Sequence, residues 1–175
     1  LGALLYFVTS SLPYFALGPV ADPRFGRANA CLVAAVGDGR LSFAALPTED
    51  GGRIQRELVS GRVLFHERIR DALLRHLEKD LGPMALPRIP VSPQPFTVAE
   101  YFPTPGVTAF HDPRQHAVAL AYIVPVQGDC APQQDALDLA WLSPDEAGDP
   151  GILAEMDGGH GVLLRQALAH LGHPV

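Results

Sequence analysis

Cysteine is scarce in this sequence: Cys31 and Cys130 are the two cysteines among 175 residues. Two thiols cannot form the framework of a disulfide-stabilised secreted domain, and they lack the CxxC spacing typical of structural zinc sites. We interpret both as reduced thiols, which favours a cytoplasmic protein.

Positive charge is also limited. The 13 Lys and Arg residues are outnumbered by 19 Asp and Glu residues, giving a net charge of -6, and no basic run with interleaved aromatic residues occurs. This balance argues against a nucleic-acid partner, which normally requires a basic face. The hydrophobic fraction of 47% is that of a globular protein, and the chain is long enough for one domain with a buried core.

No long uninterrupted apolar run is present. The opening segment has no charged side chain before Asp22, but Thr9 and Pro13 are among the residues that interrupt it. A signal peptide would need a basic start, and a membrane span would need about 20 apolar residues, so neither is predicted. We treat residues 1–27 as an apolar N-terminal segment of uncertain status and residues 28–175 as one domain, with no membrane partner.

Hydrophobic periodicity predicts strands on both sides of one central helix. The predicted strands cover residues 28–36, 41–46, 58–63, 96–102, 116–126 and 135–141. Residues 47–57 are predicted to be a polar loop, and the proline-rich residues 83–95 an extended connection. Ser143 is predicted to cap a short helical turn, and residues 161–172 to form a closing helix. The predicted class is α+β, with a mixed sheet between helices.

The central helix is predicted at about residues 67–81. Leu73, Leu77 and Leu81 form an apolar stripe that must be buried. His76 and Asp80 lie one turn apart beside this stripe. Polar side chains at such a border need partners, so they mark either a functional site or simply a helix stabilised by salt bridges.

Two other segments carry candidate chemistry. In "HDPRQH" (111–116), Arg114 and His116 precede the most apolar strand, where they could contact a phosphate or ribose; a zinc site and a solvated loop are the alternatives. "DGGHG" (157–161) could bind an anion through backbone amides, although it lacks the lysine and spacing of a P-loop and could equally be a hinge. No glycine elbow surrounds a serine, so a serine hydrolase is not indicated.

Residues 61–83 resemble the Nudix box, G-x5-E-x7-R-E-U-x-E-E-x-G-U, where U is aliphatic. The matching residues, in register and without insertion, are Gly61, Glu67, Arg75, Leu77 and Gly82. The departures are His76 for the glutamate after the arginine, Lys79 and Asp80 for the glutamate pair, and Pro83 for the closing aliphatic residue.

The resemblance extends over residues 28–172. "ACLVAAVGDGRLSFAAL" is similar to the entry hairpin of the family, and "HDPRQHAVALAY" resembles a bacterial Nudix-like subfamily with no assigned reaction. The resemblance implies an α/β/α sandwich with a mixed sheet. It also implies hydrolysis of a nucleoside diphosphate derivative, with Mg²⁺ held by carboxylates of the box helix.

The resemblance assigns catalytic positions to Glu67, Arg75, His76, Lys79 and Asp80. Of these, Asp80 and His76 are the candidate metal ligands, although histidine is a poor ligand for Mg²⁺. Glu67 is expected to pair with Arg75. Lys79 replaces a carboxylate with an ammonium, which should weaken Mg²⁺ binding.

Two functions therefore remain open: a weak hydrolase, or a non-catalytic module that binds a nucleotide or phosphorylated metabolite. In the first, a distal acid would assist, with Glu100, Asp135 and Asp138 as candidates. A third alternative is a partner-binding domain. Arg114 and His116 are the candidate substrate-binding residues, the expected partner is a small phosphorylated molecule, and a homodimer is left open.

Overall fold

The computed structural model describes residues 4–9, 36–37, 40–47, 54–131, 138–156 and 158–173. Side chains are described from Glu57 onward, apart from Asp138. The predicted strand at 28–36 therefore lies outside the described residues except for its last residue, Val36.

The described strands form two four-stranded sheets. The strands are Leu4–Thr9 (β1), Val36–Gly37 (β2), Arg40–Pro47 (β3), Ile54–Glu57 (β4), Ser60–Arg62 (β5), Thr97–Tyr101 (β6), Ala117–Val124 (β7) and Asp138–Leu142 (β8). The first sheet has the order β5-β1-β7-β6; β1 is parallel to β5 and antiparallel to β7, so this sheet is mixed. In the second sheet, β3 lies between β2 and β4 and also pairs with β8.

Four α-helices occur in the described part of the chain: Ile69–Leu81 (α1), Pro144–Ala147 (α2), Pro150–Ala154 (α3) and His160–His170 (α4). Ser143 caps α2 through a capping box with Glu146, as predicted. No described helix has the length and apolarity needed to cross a membrane.

Strand β7 separates two hydrophobic clusters because its side chains alternate between the two faces of the sheet. Tyr122 and Val124 pack in one cluster with Leu73, Leu77 and Leu81 of α1. Ala119 and Ala121 pack in the other cluster with the apolar residues of α4. The first sheet is therefore covered by α1 on one face and by α4 on the other, and the predicted α+β class is confirmed.

The central helix behaves as its apolar stripe predicted, since Leu73 and Leu77 are fully buried. The helix begins at Ile69 and not at Glu67, because the backbone N–H of Glu67 bonds to the carbonyl of Leu64 in a turn before the helix.

Two local predictions need correction, and one further helix was not predicted. Strand β4 occupies the end of the predicted loop at 47–57. Its polar composition indicated a loop, and its strand conformation depends on pairing with β3, which the local sequence does not show. The proline-rich segment contains a 3-10 turn at Pro83–Ala85. Helix α3 was not predicted; Asp149 caps it by accepting a hydrogen bond from the Gly151 N–H.

Candidate functional site

The entry to the box helix is a close contact between a glycine and a histidine. A Cβ atom on Gly61 would lie 1.7 Å from Cε1 of His76, so only glycine leaves room for this ring position. The Nε2 atom of His76 lies 2.9 Å from the carbonyl oxygen of Arg62. A carbonyl only accepts, so Nε2 carries the proton. Burial lowers the pKa of the His76 imidazole below its ordinary value, and the ring is neutral at pH 7.

Glu67 and Arg75 form the ion pair that the sequence predicted. Arg75 donates from Nε to Oε1 of Glu67 at 2.7 Å and from Nη2 to Oε2 at 2.6 Å. Arg75 Nη2 also donates to the Arg62 carbonyl, and Glu67 Oε2 accepts from the Leu64 N–H. These bonds fix the loop between β5 and α1 against the helix. The hydrogen bonds from Arg75 outweigh burial and lower the pKa of the Glu67 carboxyl.

Lys79 points toward the remaining acid of the box. Its Nζ atom lies 3.7 Å from Oδ1 of Asp80, and Asp80 is buried while about a third of the Lys79 side chain, 34%, remains exposed. Lys79 is also the one lysine in the sequence. The position where the Nudix pattern has a pair of carboxylates is therefore an ion pair in which the lysine side chain is partly exposed.

The described side chains of the box do not fit Mg²⁺. This ion requires several hard oxygen ligands. Asp80 supplies one carboxylate, but that carboxylate already faces an ammonium, and Glu67 is bound to Arg75. His76 presents nitrogen, which suits transition metals better. Within the described ranges, no group of three or more His, Cys, Asp or Glu side chains is placed to hold a metal.

A second polar cluster lies at the ends of β6 and β7. His116 Nε2 is 2.9 Å from Oε1 of Glu100. The His116 ring stacks on Phe102 with centroids 4.5 Å apart and planes at 21°. We call Glu100, Phe102 and His116 the edge cluster. Glu100, a candidate distal acid from the sequence, is thus paired with a candidate substrate-binding residue.

Arg114, the other candidate substrate-binding residue, is held by Asp112. Its Nε donates to Oδ1 of Asp112 at 2.9 Å and its Nη2 to Oδ2 at 3.1 Å. Gln115 also donates to Asp112. Burial raises the pKa of the Asp112 carboxyl, but these hydrogen bonds outweigh that effect and leave the pKa below its ordinary value. Arg114 therefore has a role in shaping the loop through its contact with Asp112.

The structure brings six of the predicted residues together in three pairs: Glu67 with Arg75, Lys79 with Asp80, and His116 with Glu100. The other two predicted site residues, His76 and Arg114, contact residues that were not predicted. Of the other candidate distal acids, Asp135 lies outside the described residues, and only the backbone of Asp138 is described. Sequence reasoning missed Phe102, whose signal was an aromatic residue directly after an alternating strand.

Solved structures support the fold assignment. A possible asymmetric diadenosine tetraphosphate (Ap4A) hydrolase from Jonesia denitrificans DSM 20603 is 61% identical, with a TM-score of 0.75, over 81% of this chain and 93% of the other. The ORF135 protein of E. coli is 21% identical, with a TM-score of 0.54, over 78% and 86% of the two chains. A Nudix-family hydrolase from Clostridium perfringens is 13% identical, with a TM-score of 0.52, over 79% and 94%. The last two show the fold alone.

The fold is thus the one seen in a Nudix-family hydrolase, and the box of this chain lies at the loop and helix that the Nudix pattern predicts. Residues 30–173 match the family described as Domain of unknown function (DUF4916), and the chain belongs to this family. No curated protein matches the chain.

Proposed function

We propose that this chain binds a nucleoside diphosphate derivative beside Lys79 without needing Mg²⁺, and that it hydrolyses such a ligand slowly or not at all. The observation that carries this proposal is the Lys79–Asp80 contact of 3.7 Å in the box helix. It favours the ligand-binding alternative over the weak magnesium-dependent hydrolase.

Charge in the box supports this choice. Glu67 cancels Arg75, Lys79 cancels Asp80, and burial keeps His76 neutral at pH 7. These five positions therefore carry no net charge. If glutamates stood at positions 76, 79 and 80, as in the Nudix pattern, the same five positions would carry about three negative charges. Bound cations would have to neutralise these charges before an anionic ligand could approach.

The ammonium of Lys79, on a side chain that is partly exposed, can supply the positive charge that a phosphate requires. A lysine is a compact point charge with three donors, so it can bond to a phosphate oxygen while it remains near Asp80. The Glu67–Arg75 pair would keep the adjoining loop rigid, which lowers the entropic cost of binding.

A second candidate function is hydrolysis of a dinucleoside polyphosphate. The Jonesia denitrificans relative, described as a possible Ap4A hydrolase, favours it at 61% identity. In that case acids outside the box would have to perform the chemistry, since Asp80 alone cannot hold a cluster of magnesium ions. Asp135 and Asp138 remain candidates for that role.

The single lysine allows a direct test. Reductive methylation with ¹³C-formaldehyde keeps the charge and places one side-chain label at Lys79. We expect pyrophosphate and ADP-ribose to shift this NMR signal saturably in the presence of EDTA. Lys79→Gln should weaken ADP-ribose binding about tenfold or more in calorimetry, whereas Glu78→Gln, at an exposed acid on the same helix, should not.

Three results would overturn the proposal. The first is a Lys79 signal that does not respond to either ligand at millimolar concentration. The second is binding that appears only after Mg²⁺ is added. The third is rapid Mg²⁺-dependent release of products from ADP-ribose or Ap4A, which would favour the hydrolase alternative.

A further inference from the structure

The pairing of the strands places the box and the edge cluster at the same end of the first sheet. Thr9 of β1 pairs with Arg62 of β5 and with Ala119 of β7. Ala117 of β7 pairs with Tyr101 of β6. The C-terminal end of β5, which leads into the box loop, therefore lies at the same end of the sheet as the C-terminal end of β6 and the N-terminal end of β7. With about 4.8 Å between neighbouring strands, β5 lies roughly 10 Å from β7 and 14 Å from β6.

The edge cluster also lies on the face of the sheet that α1 covers. Ala99 and Tyr101 of β6 belong to the hydrophobic cluster under α4. Glu100 lies between them and so points to the opposite face, which is the face of α1. Val98, two residues earlier on that face, is 56% exposed. Helix α1 thus leaves this part of the sheet open beside the box.

The rings of the cluster form a flat surface held in place. His116 stacks on Phe102, and its Nε2–H donates to Glu100, because a carboxylate only accepts. The side chains of His116 and Glu100 are each 53% exposed. In the described part of the chain, Oε2 of Glu100 receives no hydrogen bond, so it can accept one from a ligand.

We infer that the edge cluster binds the base of a nucleotide whose phosphates lie at Lys79. The base would stack on the His116–Phe102 pair and donate an N–H to Oε2 of Glu100. Arg75 and His76, one helical turn before Lys79, contact the Arg62 carbonyl at the end of β5. Strand β5 lies roughly 10 to 14 Å from the strands of the edge cluster, a span that a nucleoside diphosphate can cover. Aromatic stacking accepts any base, and the larger surface of a purine should bind more tightly. This inference rests on the proposed function for the position of the phosphates.

The test uses adenosine, pyrophosphate and ADP with the full chain, and follows two NMR reporters: the ring protons of His116, assigned with His116→Gln, and the methylated Lys79. Adenosine should shift only His116, pyrophosphate only Lys79, and ADP both. His116→Gln keeps a donor for Glu100 but loses the stacking ring. It should weaken ADP binding about 5- to 100-fold and leave pyrophosphate binding unchanged.

His170→Ala is the matched control, because His170 also contacts a phenylalanine, Phe96, but lies at the end of α4. It should change neither affinity. Binding of ADP that is equal in the parent and in His116→Gln, or adenosine that leaves His116 unshifted, would overturn the inference. If adenosine shifts His116 while no ligand shifts Lys79, the proposed function fails and the base site stands.

Discussion

The imidazole of His76 lies directly over Gly61, where an added Cβ atom would come within 1.7 Å of Cε1. The first glycine of the box and the histidine that replaces a box glutamate are therefore in contact. The Arg62 carbonyl, one residue later, holds the same ring by a hydrogen bond of 2.9 Å. The histidine is thus accommodated by the loop itself and acts as a structural part of the box.

Gly61→Ala should destabilise the protein because the new methyl group would displace the His76 ring. We expect a loss of about 1–3 kcal/mol in the free energy of unfolding, measured in urea, as for other overpacked sites. In the His76→Ala background the same change should cost much less, so the two substitutions should be non-additive by about 1 kcal/mol or more. Equal costs in both backgrounds would contradict the contact.

Glu67→Gln should reveal how much the ion pair with Arg75 stabilises the loop. The hydrogen bonds from Arg75 lower the pKa of Glu67 below 4.5 in the folded state. A depressed carboxyl pKa stabilises the fold above the unfolded pKa, and this contribution is lost as the pH falls through the folded value. The free energy of unfolding of the parent should therefore exceed that of the variant by about 1 kcal/mol at pH 7. This difference should become smaller below about pH 4, where the Glu67 carboxyl becomes protonated.

Glu78→Gln serves as the control for that comparison, because Glu78 is an exposed acid on the same helix. Its unfolding free energy should follow that of the parent across the pH range. A Glu67→Gln difference that persists unchanged at pH 3 would show that the effect does not come from the charge of Glu67.

His76→Glu combined with Lys79→Glu should restore magnesium affinity if these positions face the ligand as in the Nudix pattern. The double variant would gain two carboxylates beside Asp80 and lose the ammonium that faces it. Its melting temperature should rise when Mg²⁺ is added, because a bound ion stabilises the folded state, while the parent should not respond.

The matched control for added acidity is His76→Gln with Lys79→Gln, which removes the same two side chains without adding carboxylates. If the glutamate variant binds no more Mg²⁺ than this control, Asp80 does not face a site that a metal can reach.

Cys130 should be unreactive in the folded protein. Burial, with a smaller effect of Asp129, raises the pKa of its thiol to about 11. Only about one thiol in a thousand is then ionised at pH 8, and the thiolate is the reactive form. In a Cys31→Ser background, alkylation with iodoacetamide should be at least about 50-fold slower in buffer than in urea. Comparable rates in the two conditions would contradict the burial.

The sequence by itself determined the box helix and the Glu67–Arg75 pair. The apolar stripe of Leu73, Leu77 and Leu81 repeats every four residues, and a helix translates such a period into one buried face. The contact of Glu67 with Arg75 was implied by the resemblance of their positions to the glutamate and arginine of the Nudix box, and the structure contains it. The most apolar segment was likewise predicted as a strand and became β7.

The tertiary structure alone decided where Lys79 points and what Glu100 and His116 contact. Side chains at neighbouring helix positions do not face each other, so sequence spacing does not predict that Lys79 reaches Asp80. Glu100 and His116 meet because β6 and β7 pair in one register, and that register depends on the packing of both strands against α4. A contact between distant segments leaves no periodic pattern in the sequence, so it could be identified only from the paired strands of the structure.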